Sequence, residues 1–587
     1  MNFFKHFLAS VLGTVVAFII IGVLLFVGIA SMATLITAEE MQVAEIKSES
    51  ILRLDLDQPI YDNIPAAQEL EVALGLNEET YKFYDLVQAI RKASQEEKIK
   101  AIDLVAQYPQ LGWSQAQTLR KALEEFRASG KLVYAHGDYF SQKGYYIASV
   151  SDSIFLHPMG GMEFKGLAAE VLYYKDFQEK YGLKMEVIRH GKYKSAVEPY
   201  LENEMSESNR MQIDEMLQSV WTTVQEAVGA SRQMNREQLD AIANSLSASL
   251  PEDARANGLI DGLLYEDDYT QKLKDIINSE EKLRVVEVQQ LIGNNGLYTK
   301  GVRDRIAVIY AQGPVLYGEG SEFVIGQEVF LDAIEEATNN RRVKAIVLRI
   351  DSPGGSALTS DILWKALMEA KKKKPLVVSM GNVAASGGYY LAAAGDEIYA
   401  NDLTITGSIG VFATVPNAKS FAESYGINAQ HVQTHDNALG ISLFKAPEGG
   451  ARASIKKGIT HVYDTFKQRV AEGRGLSLDE VEQIAQGRVW MGPAALDNGL
   501  IDGLGGMDEA LAAAARLAEI EEYNLISYPK IEPEFDDIIG VMGPLGKAMV
   551  PLQGILPKEV EVFLSRLNNH PPQAQYQAQL PFAVEIE

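Results

Sequence analysis

The chain of 587 residues contains no cysteine. That absence excludes disulfides, a thiolate nucleophile and every cysteine-based zinc site. Histidine is almost as scarce: His6, His136, His157, His190, His431, His435, His461 and His570 are the whole set, and none sits in a recognisable catalytic pattern. A serine or threonine nucleophile would have to find its base elsewhere. Positive charge is in deficit as well, with 54 Lys and Arg against 79 Asp and Glu and a net charge of −25. Such a surface repels a phosphate backbone, so no nucleic-acid partner is expected. Solubility is the plain explanation of the acidity.

What is present begins at the N-terminus. Phe7 to Ile36 is a run of thirty residues without an ionisable side chain. As a helix it would span roughly 45 Å, against about 30 Å of hydrocarbon in a bilayer. The apolar core of a cleavable signal peptide has only about 7–15 residues. An uncleaved transmembrane anchor over residues 1–38 is therefore expected, in contact with membrane lipid. Lys5 precedes it and Glu39, Glu40 and Glu45 follow, which leaves the body of the chain outside the cytoplasm.

The rest of the chain is a duplication. A shift of 244 positions brings Lys100-Ala101-Ile102 onto Lys344-Ala345-Ile346 and Lys121-Ala122-Leu123 onto Lys365-Ala366-Leu367. The same shift brings Gly137 onto Gly381, Gly144 onto Gly388 and Tyr145-Tyr146 onto Tyr389-Tyr390. Further on, NGLIDGL recurs at Asn257 and Asn498. Each copy alternates short apolar runs, such as RIAVIYA (305–311), VKAIVLRI (343–350) and PLVVSM (375–380), with stretches of helical period. That alternation predicts α/β domains with largely parallel sheets. The expected division is 47–295 for the first repeat and 303–535 for the second, joined near Gly293–Gly301. Residues 536–587, with several prolines and little periodicity, are expected to be a loosely attached tail. The lysine run 371–374 suits a solvated helix C-terminus.

The two copies differ where chemistry is concentrated. After the strand VKAIVLRI comes DSPGGS (351–356), whose glycines let the backbone turn sharply and present N–H groups at a helix start. Such donors suit a phosphate or a developing oxyanion, and a tight structural turn would use the same residues. The first copy has QYPQLG there and lacks the glycine pair. Ser386, in AASGG, stands at the next helix start where the first copy has Gln142. It is either an exposed nucleophile or an N-cap serine. The setting is not GxSxG, so an α/β-hydrolase elbow is not supported.

A base for Ser386 is offered by Lys194, in GKYKSAVEPY, the alternative being an ordinary solvated lysine. To act as a base it must be neutral, and burial must bring its pKa from about 10.4 towards 7–8, roughly 4 kcal/mol of desolvation. Counting 244 on from Lys194 reaches Ala438, so the second copy has the serine and lacks the lysine.

With YKSAVEP, DSPGGS, AASGGYY and TGSIGVF (406–412) together, the chain resembles peptidase family S49, membrane-anchored Ser/Lys proteases, in its long double-domain form. The resemblance implies that Ser386 is the nucleophile and Lys194, not Lys192, the general base. Ser408 would orient the lysine, and Gly354, Gly355 and Gly387 would form the oxyanion hole. It further implies tandem ClpP/crotonase-like (ββα spiral) domains and signal-peptide remnants and other apolar peptides as substrates. No metal or cofactor is implied. A homotetramer in the bacterial inner membrane with its catalytic domains in the periplasm completes the expectation. The rival readings are an acyl-CoA enzyme of crotonase type and a silent peptide-binding scaffold.

Overall fold

The computed structural model describes residues 46–65, 80–279, 282–292 and 299–531, the isolated positions 13 and 68, and the backbone of 577–579. The anchor expected over residues 1–38 lies outside the described residues, apart from Gly13. Among the described residues no helix is long and apolar enough to cross a membrane.

The first half begins with β1 (Ser50–Asp55), β2 (Ile99–Val105), β3 (Leu132–Phe140) and β4 (Ser153–Met162). Then β5 (Lys184–His190) departs for the other half, before the short β6 (Gly262–Leu263) and β7 (Val285–Val286). The sheet order is β6-β4-β3-β2-β1-β7, with every neighbour parallel. Two helices matter below: α1 (Trp113–Ala128) follows β2, and α2 (Gln142–Ala148) follows β3.

The second half repeats the plan. It runs β8 (Arg305–Gln312), β9 (Val343–Ser352), β10 (Gly354–Ser356), α3 (Ala357–Lys371), β11 (Leu376–Ala385), α4 (Gly387–Ala392), β12 (Glu397–Ala400), β13 (Ile405–Gly407) and β14 (Val411–Asn417). After these come β15 (Val489–Met491), β16 (Gly503–Leu504) and β17 (Asn524–Tyr528). Its main sheet has the order β15-β13-β11-β9-β8-β17, with β12 on β11 and β16 on β12. Only the β13–β15 pair is antiparallel.

The central strands are buried on both faces, as their unbroken apolar runs require. Parallel neighbours in turn demand crossovers, and the helices of the 3.6-residue period supply them. The duplicated motifs are joined by the same bond in each half. Tyr145 Oη donates to the Leu259 carbonyl at 2.7 Å, and Tyr389 Oη to the Leu500 carbonyl at 2.8 Å. Thus the GYY helix start is tied to NGLIDGL twice over. The shared glycine has a steric cause: a Cβ on Gly144 would stand 2.2 Å from the Ala106 carbonyl oxygen, and one on Gly388 2.9 Å from that of Ser352.

The lysine run is less solvated than its charge suggests. Lys371 and Lys374 donate to backbone carbonyls of Gly395, Ala337 and Asn340, and burial brings Lys374 down to about 8.

The halves are not separate bodies. Ala385, Leu403, Ile405, Val489 and Met491 of the second belong to the apolar core of the first. A buried polar seam runs beside that contact. Gln115 exchanges hydrogen bonds with Asn382 and donates to Asp62. Arg349 donates to Asp62 at 2.7 Å, and both are about 4% exposed.

A third, antiparallel sheet crosses the halves. Its order is β10-β18-β14-β5, where β18 is Gln577–Gln579. The tail expected to hang loosely thus contributes a strand to the fold.

Candidate active site

The third sheet carries the lysine. β5 pairs with β14 from Lys184↔Asn417 to His190↔Val411, so the first half's chain arrives beside TGSIGVF. At Gly191 it turns with φ +100°, where a Cβ would meet the Gln486 carbonyl oxygen at 2.5 Å. The Tyr193 amide donates to that same carbonyl at 3.0 Å. Lys194 then runs between two glycines: a Cβ would lie 3.2 Å from its Cδ at Gly410 and 2.7 Å from its Cβ at Gly487. Neither glycine was singled out from sequence. Gly410 lies in TGSIGVF, but nothing in QGRVW marks Gly487.

Lys194 Nζ ends 2.7 Å from Ser386 Oγ, 3.0 Å from Ser408 Oγ and 3.1 Å from the Ser408 carbonyl oxygen. Lys194, Ser386 and Ser408 are each 0% exposed. Burial alone drives the lysine pKa well below its ordinary value, and no carboxylate opposes the shift. A neutral amine fits these three partners. Its two N–H bonds can go to the two Ser408 oxygens, leaving the lone pair for the Ser386 hydroxyl proton. The solvated-lysine alternative is excluded for Lys194 and describes Lys192, which is exposed over the Tyr193 ring.

The N-cap alternative for Ser386 fails as well. It stands at the N-cap of α4 with φ +55° and ψ −114°, and its side chain caps nothing. In the first half Ser141 does cap the matching helix, accepting from the Gly144 amide. Ser386 and Ser408 are both non-glycine residues at positive φ. Such strain, of order 1–3 kcal/mol each, clusters at functional sites, and composition does not reveal it. Gln142, at the position of Ser386, is buried with its amide spent on backbone: it accepts from the Lys165 and Gly166 amides and donates to the Gly166 carbonyl. That site is plugged.

The DSPGGS turn lies against the serine. A Cβ on Gly387 would be 3.0 Å from the Gly355 amide nitrogen and 3.2 Å from Gly354 Cα. The Gly354 N–H already donates to Ser352 Oγ at 3.2 Å. Asp351 holds the strand end, accepting from the Asn382 side chain and the Val383 amide. Burial, and then the charge of Asp62, raise its pKa to about 6. Ala438 lies in an exposed turn, so the second half brings no lysine of its own to the place of Lys194. Among the described residues no group of His, Asp and Glu could hold a metal.

A buried amine, a serine in its reach and backbone N–H groups beside them can together perform nucleophilic acyl transfer. Comparison with known proteins points the same way. The profile described as peptidase family S49 matches residues 125–279 and again 368–521, once in each half. "Protease 4" of Salmonella typhi is 34% identical over 81% of this chain and 78% of its own length. "Serine protease SPPA, chloroplastic" of Arabidopsis thaliana is 30% identical over 77% of this chain and 68% of its own. A solved ClpP1 mutant from Listeria monocytogenes overlaps 35% of this chain and 94% of itself, at 14% identity and a TM-score of 0.23.

Proposed function

Because the chain belongs to peptidase family S49, we propose that it is a serine endopeptidase working through a Ser386/Lys194 dyad assembled from its two halves. The observation that carries this reading is the 2.7 Å contact between a fully buried lysine amine and a strained serine. Neutral Lys194 removes the Ser386 Oγ proton as that oxygen attacks the carbonyl carbon of a peptide bond. The oxyanion is held by the N–H groups of Gly355 and Gly387; Gly354, whose N–H serves Ser352, shapes the turn. The charged lysine gives its proton to the leaving amine and the C–N bond breaks. A water molecule then loses a proton to Lys194 and attacks the ester, releasing the acid and restoring the serine. Ser408 keeps the amine aimed at Ser386.

The family resemblance extends the proposal. The domains are of the ClpP/crotonase-like spiral type, and the substrates are cleaved signal peptides and other apolar peptides. The protein is anchored in the bacterial inner membrane by residues 1–38, with the catalytic halves on the periplasmic side and four copies assembled together. The sequence of Phe7–Ile36 is what supports the anchor.

The test compares native protein with Ser386→Ala and Lys194→Ala, using a serine-reactive fluorophosphonate probe and cleavage of an apolar peptide. Both variants should lose labelling and cleavage. Undiminished cleavage by Ser386→Ala would sink the nucleophile, and full labelling of Lys194→Ala at neutral pH would sink the base.

A further inference from the structure

The segment Gln486–Val489 reaches every side chain of the site at once. The Gln486 carbonyl accepts from the Tyr193 amide, one residue before Lys194, and Gly487 packs on Lys194 itself. The Arg488 carbonyl accepts from the Ser408 amide at 2.7 Å, and the Gly487 amide donates to the Ile409 carbonyl at 2.8 Å. Val489 then opens β15, which runs antiparallel to β13 with Gly407 opposite Val489. The Gly407 carbonyl in turn accepts from the Ser386 amide at 2.8 Å. A shift of this segment would therefore disturb Lys194, Ser408 and Ser386 together.

What holds the segment from outside comes from the first half. The Ser408-to-Arg488 bond makes Gly407 and Val489 a non-hydrogen-bonded pair, so the Val489 N–H points away from β13. It donates instead to Oε1 of Gln212 at 2.9 Å, on the helix Glu207–Arg232. A flipped carboxamide would set donor against donor, which fixes its orientation. Gln212 is 1% exposed, and its Nε2 has no partner among the described residues. A buried carboxamide that uses only its acceptor forfeits the solvation of its donor. Methionine would fill much the same volume without that loss; what it could not do is receive the Val489 N–H. One turn further on, Glu215 pairs with the Arg488 guanidinium at 2.8 Å, but Glu215 is half exposed and such a pair contributes little. Gln212 is the buried tie.

We propose that Gln212 is a positioning residue for the catalytic pair, its carboxamide oxygen holding Gln486–Val489 so that Lys194 and Ser408 stay aligned on Ser386. The inference rests on the proposed dyad for the reaction that this alignment serves.

The experiment compares the whole protein with Gln212→Met and Gln212→Asn. Methionine keeps the volume and loses the acceptor; asparagine keeps the carboxamide one methylene short of Val489, and is the milder change should Gln212→Met fail to fold. With a short fluorogenic peptide, kcat should fall about 10- to 100-fold, the cost of a misplacement of roughly 1 Å, and KM should stay within about twofold. The midpoint of kcat/KM against pH should move up, because a loosened segment admits water to the amine. A merely structural bond would lower the melting temperature and leave both the midpoint and kcat per folded molecule unmoved, and that result overturns the proposal. A second readout needs no catalysis. Acetylation of Lys194 by acetic anhydride, followed by mass spectrometry, should be about threefold or more faster in the variants, since access to a buried group follows local opening. Ser386→Ala, run alongside, separates the two ideas. If it still cleaves, the dyad fails, and Lys194 acetylation alone decides the part played by Gln212, equal rates overturning it.

Discussion

At the scale of single residues, Lys194 concentrates the chemistry, and its burial makes a claim about pH. Its folded pKa is depressed, so the unfolded chain binds more protons in the interval between the folded value and about 10.4. Stability therefore rises with pH across that window. Lys194→Met removes the titration. The native protein should gain on this variant, in melting temperatures taken from neutral pH to pH 10, and a constant gap would contradict the buried neutral amine. Native kcat/KM should rise with pH through a midpoint well below 10.5, because the protonated amine cannot accept a proton. The variant should lose about 10²–10⁴-fold in kcat, the usual worth of a general base. Ser386 makes a different point. Its residue type was conspicuous in AASGG, but whether it capped a helix or faced an amine depended on φ +55°, a torsion that tertiary packing imposes.

At the scale of elements, the site depends on strand β5 and the turn after it. The run KMEVIRH does not announce a partner, and its pairing with β14 crosses more than two hundred residues of sequence. Lys194 is then fixed by glycines 410 and 487. Gly487 has φ +82°, and a Cβ there would come 2.7 Å from Lys194 Cβ and 2.8 Å from its amide nitrogen. Gly487→Ala should push the lysine off Ser386. Displacements of about 1 Å cost on the order of 10²-fold in rate, so kcat should fall to that extent while far-ultraviolet circular dichroism stays native. An unaltered kcat would mean that the channel around Lys194 yields. By contrast, the strands around 305–311, 343–350 and 375–380 were legible from their apolar runs alone, because a strand buried on both faces leaves little choice of residue. The strand Gln577–Gln579 was not legible for the opposite reason. Three polar or small residues, Gln-Ala-Gln, form a strand only because two edges are there to receive them.

At the scale of the molecule, the contact between Lys194 and Ser386 depends on the way the halves are locked together. Arg349 of the second half is buried against Asp62 of the first and also serves Ser379 and the Met380 carbonyl. Removing it leaves the Asp62 and Asp351 carboxyls in a dry seam. Arg349→Met should cost about 3–5 kcal/mol in urea denaturation at neutral pH, the price of breaking a buried pair on one side. The pH dependence has a definite sign. Asp351 already has its pKa raised to about 6, so the folded state favours its proton. Stability tied to such a group is full below about pH 4 and is lost as pH rises through 6. The variant should therefore be penalised most at pH 8 and least near pH 4. An equal penalty at both would remove the carboxyls from the account.

The sequence by itself determined the duplication, the alternation of strand and helix, and the residue types available for catalysis. These are local or periodic properties, written in apolar spacing and in the 244-residue shift between Lys100 and Lys344. The absence of cysteine and the poverty of histidine drew attention to Lys194 as a candidate base, and the resemblance to the family is what assigned it that role. Only the tertiary structure decided that the lysine of one half meets the serine of the other, and that Gln142 spends its amide on the backbone at 165–166. It also decided that the tail pairs beside Gly355. Each of these depends on burial and on strand partners far apart in the chain. No window of sequence contains both sides of such a contact.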